Sequence, residues 1–179
     1  MTFDELFDSL PINGWLTKEE ARLLLDTAGS CQGPILEVGS YYGRSAVLLA
    51  SLGREVYCVD PFSDFDSDDL SGNYIYSMFV KNVFHERCLM NVHLHRRKVE
   101  DWFPLIPNFG FAYLDGDHTY EGTLTQIDRA MAAGARTFCL HDYAQSGGGL
   151  NITKAIEKRQ LEVVRVVERM CHCRVGGAS

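Results

Sequence analysis

The chain has 179 residues, 46% of them hydrophobic and 23% charged, with a formal net charge of −7. That length suits one domain with its own core, and no apolar run approaches the roughly 20 residues a membrane helix requires. The acidic balance, with no basic run longer than His95-Arg96-Arg97-Lys98, excludes a long electrostatic footprint for nucleic acid or anionic lipid, leaving a small-molecule substrate as the expectation.

Met1-Thr2-Phe3-Asp4-Glu5 lacks the basic-then-apolar order of a signal peptide, so a cytoplasmic location is expected. Residues 1–30 read as a helical segment that covers one edge of the main sheet and packs on the core of one domain spanning 1–179, and Thr17-Lys18-Glu19-Glu20 has the spacing of a capping box. From Pro34 onward, short apolar runs alternate with helix-period segments, the pattern of a parallel sheet flanked by helices. The predicted strands are Ile35–Val38, Val56–Val59, Val92–His95, Phe111–Leu114, Thr137–Leu140, Val163–Val167 and Cys171–Val175. Crossover helices are expected near Arg44–Ser51, Tyr74–Phe84, Glu100–Leu105 and Glu121–Ala132, with a further one at Ile152–Lys158. Only about three residues separate the last two strands, too few for a parallel crossover, so they should form an antiparallel hairpin. The fold class is therefore α/β, a Rossmann-like three-layer sandwich with a seven-stranded, mostly parallel sheet. A dinucleotide-binding domain would instead continue with a sixth parallel strand. The six cysteines sit mostly inside apolar runs and read as buried thiols rather than a disulfide framework.

The first strand carries one acid, Glu37, and runs into a glycine-bearing turn, Gly39-Ser40-Tyr41-Tyr42-Gly43-Arg44-Ser45. Glycine lets a ligand approach the backbone, and the helix beyond supplies unpaired N–H groups. The dinucleotide fingerprint needs a glycine where Tyr41 stands, which weakens an NAD reading. Twenty-three residues after Glu37, the second strand ends at Asp60, followed by Pro61 and Phe62. An acid there can accept from both ribose hydroxyls of a nucleoside, or it can cap the turn before Pro61.

Glu37-Val38-Gly39-Ser40-Tyr41-Tyr42-Gly43-Arg44-Ser45, Asp115-Gly116-Asp117-His118-Thr119-Tyr120-Glu121-Gly122 and His141-Asp142-Tyr143 together resemble class I S-adenosylmethionine-dependent methyltransferases, in a bacterial small-molecule O-methyltransferase-like subgroup (methyltransferase domain 24 type). The resemblance spans roughly Trp15 to Ala155. It implies that Glu37 and the glycine loop hold the methionine end of S-adenosylmethionine, that Asp60 holds the ribose, and that Phe62 and Lys98-Val99-Glu100 flank the adenine.

Asp115 and Asp142 follow adjacent strands, which in parallel pairing lie roughly 4.8 Å apart, so both face one crevice. Two carboxylates suit a hard divalent cation such as Mg²⁺, which would lower the pKa of a bound hydroxyl and aim it at a methyl donor. Metal-dependent relatives usually have two acids, or Asp-Asn, where this chain has His141-Asp142. His141 therefore either joins Asp115 and Asp142 as a ligand and shifts preference toward a transition metal, or serves as a base without one. His118 competes for the base role, while Asp117 and His118 could instead cap the following helix.

Asp64, Asp66, Asp68 and Asp69 lack the glycine and terminal Glu of a calcium loop and read as a cover over the cofactor. Cys171 and Cys173 should share one strand face with His172 on the other, as core rather than zinc ligands, and His93 and His95 alternate likewise. Gly147-Gly148-Gly149 reads as a flexible lead into the next helix. The reading is thus methyl transfer to a hydroxyl of a small molecule, with a pocket small enough that a second copy in a homodimer could complete it. The competing functions are an NAD-dependent oxidoreductase, a metal-dependent hydrolase, and a cofactor-binding module without catalysis.

Overall fold

The computed structural model describes residues 2–63, 71–103, 108–144 and 149–177. Two helices open the chain, α1 (Phe3–Asp8) and α2 (Lys18–Ser30), each begun by a capping box, Thr2 with Glu5 and Thr17 with Glu20. Strands β1 (Ile35–Val38), β2 (Val56–Val59), β3 (Val92–His95), β4 (Phe111–Leu114) and β5 (Thr137–Leu140) follow, then β6 (Leu161–Val167) and β7 (Met170–Val175). Between them lie α3 (Arg44–Ala50), α4 (Gly72–Val80), α5 (Tyr120–Ala132) and α6 (Leu150–Lys158).

All seven strands pair in one sheet of order β3-β2-β1-β4-β5-β7-β6. The first five are parallel, and β7 runs antiparallel to both neighbours. This ending, with β7 inserted between β5 and β6, departs from the dinucleotide-binding order, in which a sixth parallel strand would lie at that edge. Only Glu168 and Arg169 join β6 to β7, with Glu168 at φ 50°.

β1 and β4 are buried along their whole length, as expected for central parallel strands covered on both faces. On one face Ile35, Val56, Phe111 and Tyr113 pack with α1 to α4; on the other Leu36, Ala112, Leu114 and Phe138 pack with α5 and α6. α2 touches α3, β4, β5, β6 and β7, so the segment expected at a sheet edge lies across a face instead. Its apolar stripe of Ala21, Leu23, Leu24 and Ala28 is wide enough to cover several strands.

Two elements differ from the sequence expectation. α4 is capped by Ser71 and gives way to a π turn at Lys81–His85, in which Glu86 N–H donates to the Lys81 carbonyl at 2.9 Å. Of the helix expected at Glu100–Leu105, the described residues hold a single 3₁₀ turn, Val99–Asp101, after which Trp102 is already extended. Residues 104–107, the Asp64–Asp69 run and Gly147-Gly148 lie outside the described residues.

No cysteine is disulfide-bonded, and Cys58, Cys139, Cys171 and Cys173 are buried, while Cys31 is half-buried and Cys88 exposed. Cys88 sits at φ 51° in a turn, where its preceding apolar run has already ended. Cys171 and Cys173 share the inner face of β7 with their sulfurs 3.6 Å apart.

The parallel register sets the position of the site. Val59, Val38, Leu114 and Leu140 stand level across the sheet. The ladder continues one residue further, through Gly39 N–H to the Val59 carbonyl, Asp115 N–H to Val38 and His141 N–H to Leu114. Asp60, Gly39, Asp115 and His141 therefore form one row at the carboxyl edge. Leu24, fully buried against this sheet, gives the fold a direct test: Leu24→Ala should cost about 2–5 kcal/mol. That corresponds to a fall in Tm on the order of 10 °C, measured by calorimetric melting.

Candidate functional site

The edge row opens into a cleft of about 890 Å³. It lies at the point where strand order reverses between β1 and β4, the usual ligand crevice of open α/β sheets. Gly39 (φ 83°) makes the crevice possible, since a Cβ there would meet the Asp115 carbonyl oxygen at 2.2 Å. Gly43, at φ 88°, ends the turn and starts α3 without a side-chain cap. Tyr41, between them, is held at φ 47°.

Glu37 is fully buried below this turn. Its Oε2 accepts from the Ser40 hydroxyl at 2.6 Å, while Oε1 has no hydrogen-bond partner among the described residues. Burial pushes its pKa up to about 7 against the pull of the Ser40, Ser45 and Cys58 side chains beside it. An orphaned buried carboxylate oxygen is costly unless a donor completes it, and a ligand ammonium group would do so.

Asp60 Oδ2 accepts from the N–H groups of Ser40 at 2.7 Å and Tyr41 at 3.1 Å, and Oδ1 accepts from Phe62 N–H at 2.6 Å. A carboxylate offers about four lone-pair positions. Asp60 thus spends two of these positions on the glycine loop and one on its own turn at Phe62. Burial raises its pKa, and the three N–H donors work against that rise.

The remaining cofactor candidates divide. Arg44, Ser45, Pro61, Val99 and Glu100 line the cleft. Phe62 also borders it, but its buried ring packs edge-on against Tyr76 and Phe79. Ser45 is buried beside the turn. Arg44 turns toward the N-terminal segment, with its guanidinium over the Phe7 ring and Nη1 donating to the Ile12 carbonyl at 3.4 Å.

At the other side of the cleft, Asp115, His118 and Asp142 bring three donor atoms within 4.8 Å of one another. His118 Nε2 lies 3.3 Å from Asp115 Oδ1, and its Nδ1 lies 3.2 Å from Asp142 Oδ2. His118, which could have been a helix cap, is instead a member of this cluster. The capping falls to Asp117, which accepts from Thr119 N–H, and to Thr119, which accepts from Gly122 N–H.

His141, expected beside Asp115 and Asp142 as the third ligand, is buried behind them. Its Nδ1 stands 3.4 Å from Asp115 Oδ1 and 3.7 Å from Asp142 Oδ1, and its Nε2 stands 3.2 Å from Glu20 Oε2. Burial would depress its pKa, but the bonds to Asp115, Asp142 and Glu20 outweigh this and hold it up to about 12. Asp115 in turn is brought down to about 2, because bonds from His118 and His141 overcome its burial. His118 is raised, chiefly by Asp115. The donor atoms that lie within 4.8 Å of one another are thus those of Asp115, His118 and Asp142, while His141 is set deeper and also meets Glu20.

Four side chains of this site were not singled out in the sequence. Glu20 was visible only as a capping-box residue. It also accepts from Arg169 N–H and stands against His141, 121 residues away. The Arg169 guanidinium, at the β6–β7 turn, pairs with Asp142. Tyr113 donates its hydroxyl to Asp115 Oδ2 at 2.9 Å. Gln126, buried in α5, braces the turn by accepting from Gly116 N–H and donating to the Asp117 carbonyl. The alternation of β4 puts Tyr113 and Asp115 on one side, a signal the sequence did hold; the other three depend on tertiary contact.

A family profile described as a methyltransferase domain matches residues 36–143. No curated protein matches the sequence. Among solved structures, the chain is similar to CalS11, the TDP-rhamnose 3'-O-methyltransferase of calicheamicin biosynthesis, with TM-score 0.61 and 15% identity over 97% of this chain and 91% of that one. It is also similar to an O-methyltransferase from Bacillus cereus in complex with SAH, at TM-score 0.61 and 13% identity over 96% and 90%. A third is magnesium protoporphyrin IX methyltransferase from Synechocystis PCC 6803 with bound SAM, at TM-score 0.61 and 11% identity over 97% and 91%. At these identities the likeness is one of fold.

Glu37 supplies a test of the site's electrostatics. Its folded pKa lies above its unfolded value of 4.5, so the folded chain binds the extra proton and stability falls as pH rises from about 4.5 to 7. Glu37→Gln removes that penalty. The ligand-free variant should match the wild type near pH 4 and exceed it by about 3 kcal/mol at pH 8, read from denaturant titrations at both pH values.

Proposed function

Because the chain belongs to the methyltransferase-domain family, we propose that it transfers the methyl group of S-adenosylmethionine to a hydroxyl of a small molecule. The observation that carries this reading is the meeting, in one cleft, of a glycine turn over an orphaned Glu37 oxygen with the Asp115–His118–Asp142 cluster. The first half fits an amino acid and nucleoside ligand, through Glu37 for the ammonium group and Asp60 for a ribose hydroxyl. The second fits an acceptor oxygen.

S-adenosylmethionine supplies an electrophilic methyl group on a sulfonium. Asp115 and Asp142 orient the acceptor hydroxyl, and His118, the most exposed of the cluster, takes its proton as the oxygen–methyl bond forms and the carbon–sulfur bond breaks. His141 is a positioning residue. Pinned by Glu20 and carrying its own proton, it anchors the Asp115 carboxylate rather than acting as base.

Two carboxylates and an imidazole also suit a divalent cation, which Asp115, His118 and Asp142 would hold. Such a cation lowers the pKa of a bound hydroxyl. His118 would then be a ligand and the proton would leave to solvent, so metal dependence decides which role His118 plays. The imidazole in the set favours Zn²⁺, Fe²⁺ or Ni²⁺ over Mg²⁺.

Two measurements check the reading. In calorimetric titration, S-adenosylmethionine should bind the wild type and lose about tenfold or more in affinity to Asp60→Ala; absence of binding, with or without Mg²⁺, would overturn the proposal. With a panel of hydroxylated acceptors, His118→Ala should lower kcat by roughly 10²–10⁴-fold at unchanged cofactor affinity. Turnover of an ester or phosphate substrate without any nucleoside cofactor would instead establish a hydrolase.

A further inference from the structure

The loop that would hold the cofactor is four residues long, Ser40 to Gly43, and carries two left-handed backbone conformations, Tyr41 at φ 47° and Gly43 at φ 88°. A loop of this kind keeps its shape only where its surroundings over-determine it. Its N–H side is held by Asp60, and its start is pinned because Gly39 abuts the Asp115 carbonyl. Its carbonyl side is held from a different element.

Asn82, in the π turn after α4, donates from Nδ2 to the Tyr42 carbonyl at 2.9 Å across 40 residues of sequence. Both residues are buried, Asn82 at 5% and Tyr42 at 7% exposure, so water cannot replace the bond. The next residue, Val83, packs so closely on Gly43 that a Cβ there would meet its Cγ2 at 2.8 Å. Consecutive residues of the turn thus bear on consecutive residues of the loop. Arg87 Nη1 donates to the Asn82 carbonyl at 2.8 Å and braces the turn from outside. π turns are rare and recur at functional sites, and here the turn bears directly on the loop.

We propose that the π turn is the outer jaw of a clamp on the cofactor loop, and that Asn82 is its positioning residue. By fixing the Tyr42 carbonyl, it sets the distance of Ser40 and Tyr41 from Glu37, where the methionine end of the cofactor is placed. The inference rests on the cofactor reading above, and its consequence is selective. Loss of Asn82 should weaken contact with the amino acid part of the ligand and spare the nucleoside part.

S-adenosylhomocysteine, which has the amino acid, and 5'-methylthioadenosine, which lacks it, separate the two by calorimetry. In Asn82→Ala the Kd for the first should rise about tenfold or more while that for the second stays unchanged. Asn82→Leu, of similar size but without a donor, should show the same split. If either fails to fold in a thermal melt, Asn82→Ser, which keeps a short polar side chain, is read in its place. Unchanged affinity for S-adenosylhomocysteine in a folded variant overturns the proposal, as does equal weakening of both ligands, which would mark a general loss of packing. A wild type that binds neither ligand refutes the cofactor reading itself, and the positioning role falls with it.

Discussion

The site depends on one close approach, that of the Gly39 backbone to the Asp115 carbonyl. No side chain fits between them, so the turn after β1 and the turn after β4 are pressed together at the point where the strand order reverses. From that contact follow the left-handed turn, the start of α3 at Gly43 and the placement of Asp115 directly beside the loop. A side chain at Gly39 would part the two turns, and the two halves of the cleft would no longer share one space.

Charge is arranged around that contact in two unlike ways. Glu37 is a carboxylate buried with one oxygen unanswered, a cost the fold carries until a cationic group arrives. Asp115 is the reverse, half-buried and over-supplied, with Tyr113, His118 and His141 all directed to it. Low effective dielectric makes both conditions consequential. The first leaves Glu37 open to a cationic partner, and the second holds the Asp115 anion in place within the cleft.

His141 shows how a residue's chemistry is set by what stands behind it. In the sequence it is adjacent to Asp142 and reads as ligand or base. In the fold its far nitrogen meets Glu20, a residue whose backbone role at the start of α2 had already accounted for it. The same carboxylate closes a capping box, receives the N–H of Arg169 and faces His141. An N-terminal helix and a C-terminal hairpin are thereby tied to the centre of the site.

Much of the architecture was legible before the fold was known, because apolar periodicity and the shortness of the last connection depend on neighbouring residues alone. Strands β1 to β5, the terminal hairpin, the glycine turn and the acids that follow β2, β4 and β5 are local properties of the chain. The helical backbone after Val99 stops at a single 3₁₀ turn although the local pattern has helix period, and the π turn was invisible because its extra residue looks like ordinary helix in sequence. Which imidazole faces the cleft, the second role of Glu20, the reach of Arg169 and the bond from Asn82 were decided only by tertiary structure. Each joins residues far apart in the chain, and their meeting depends on sheet register and helix packing rather than on any local pattern.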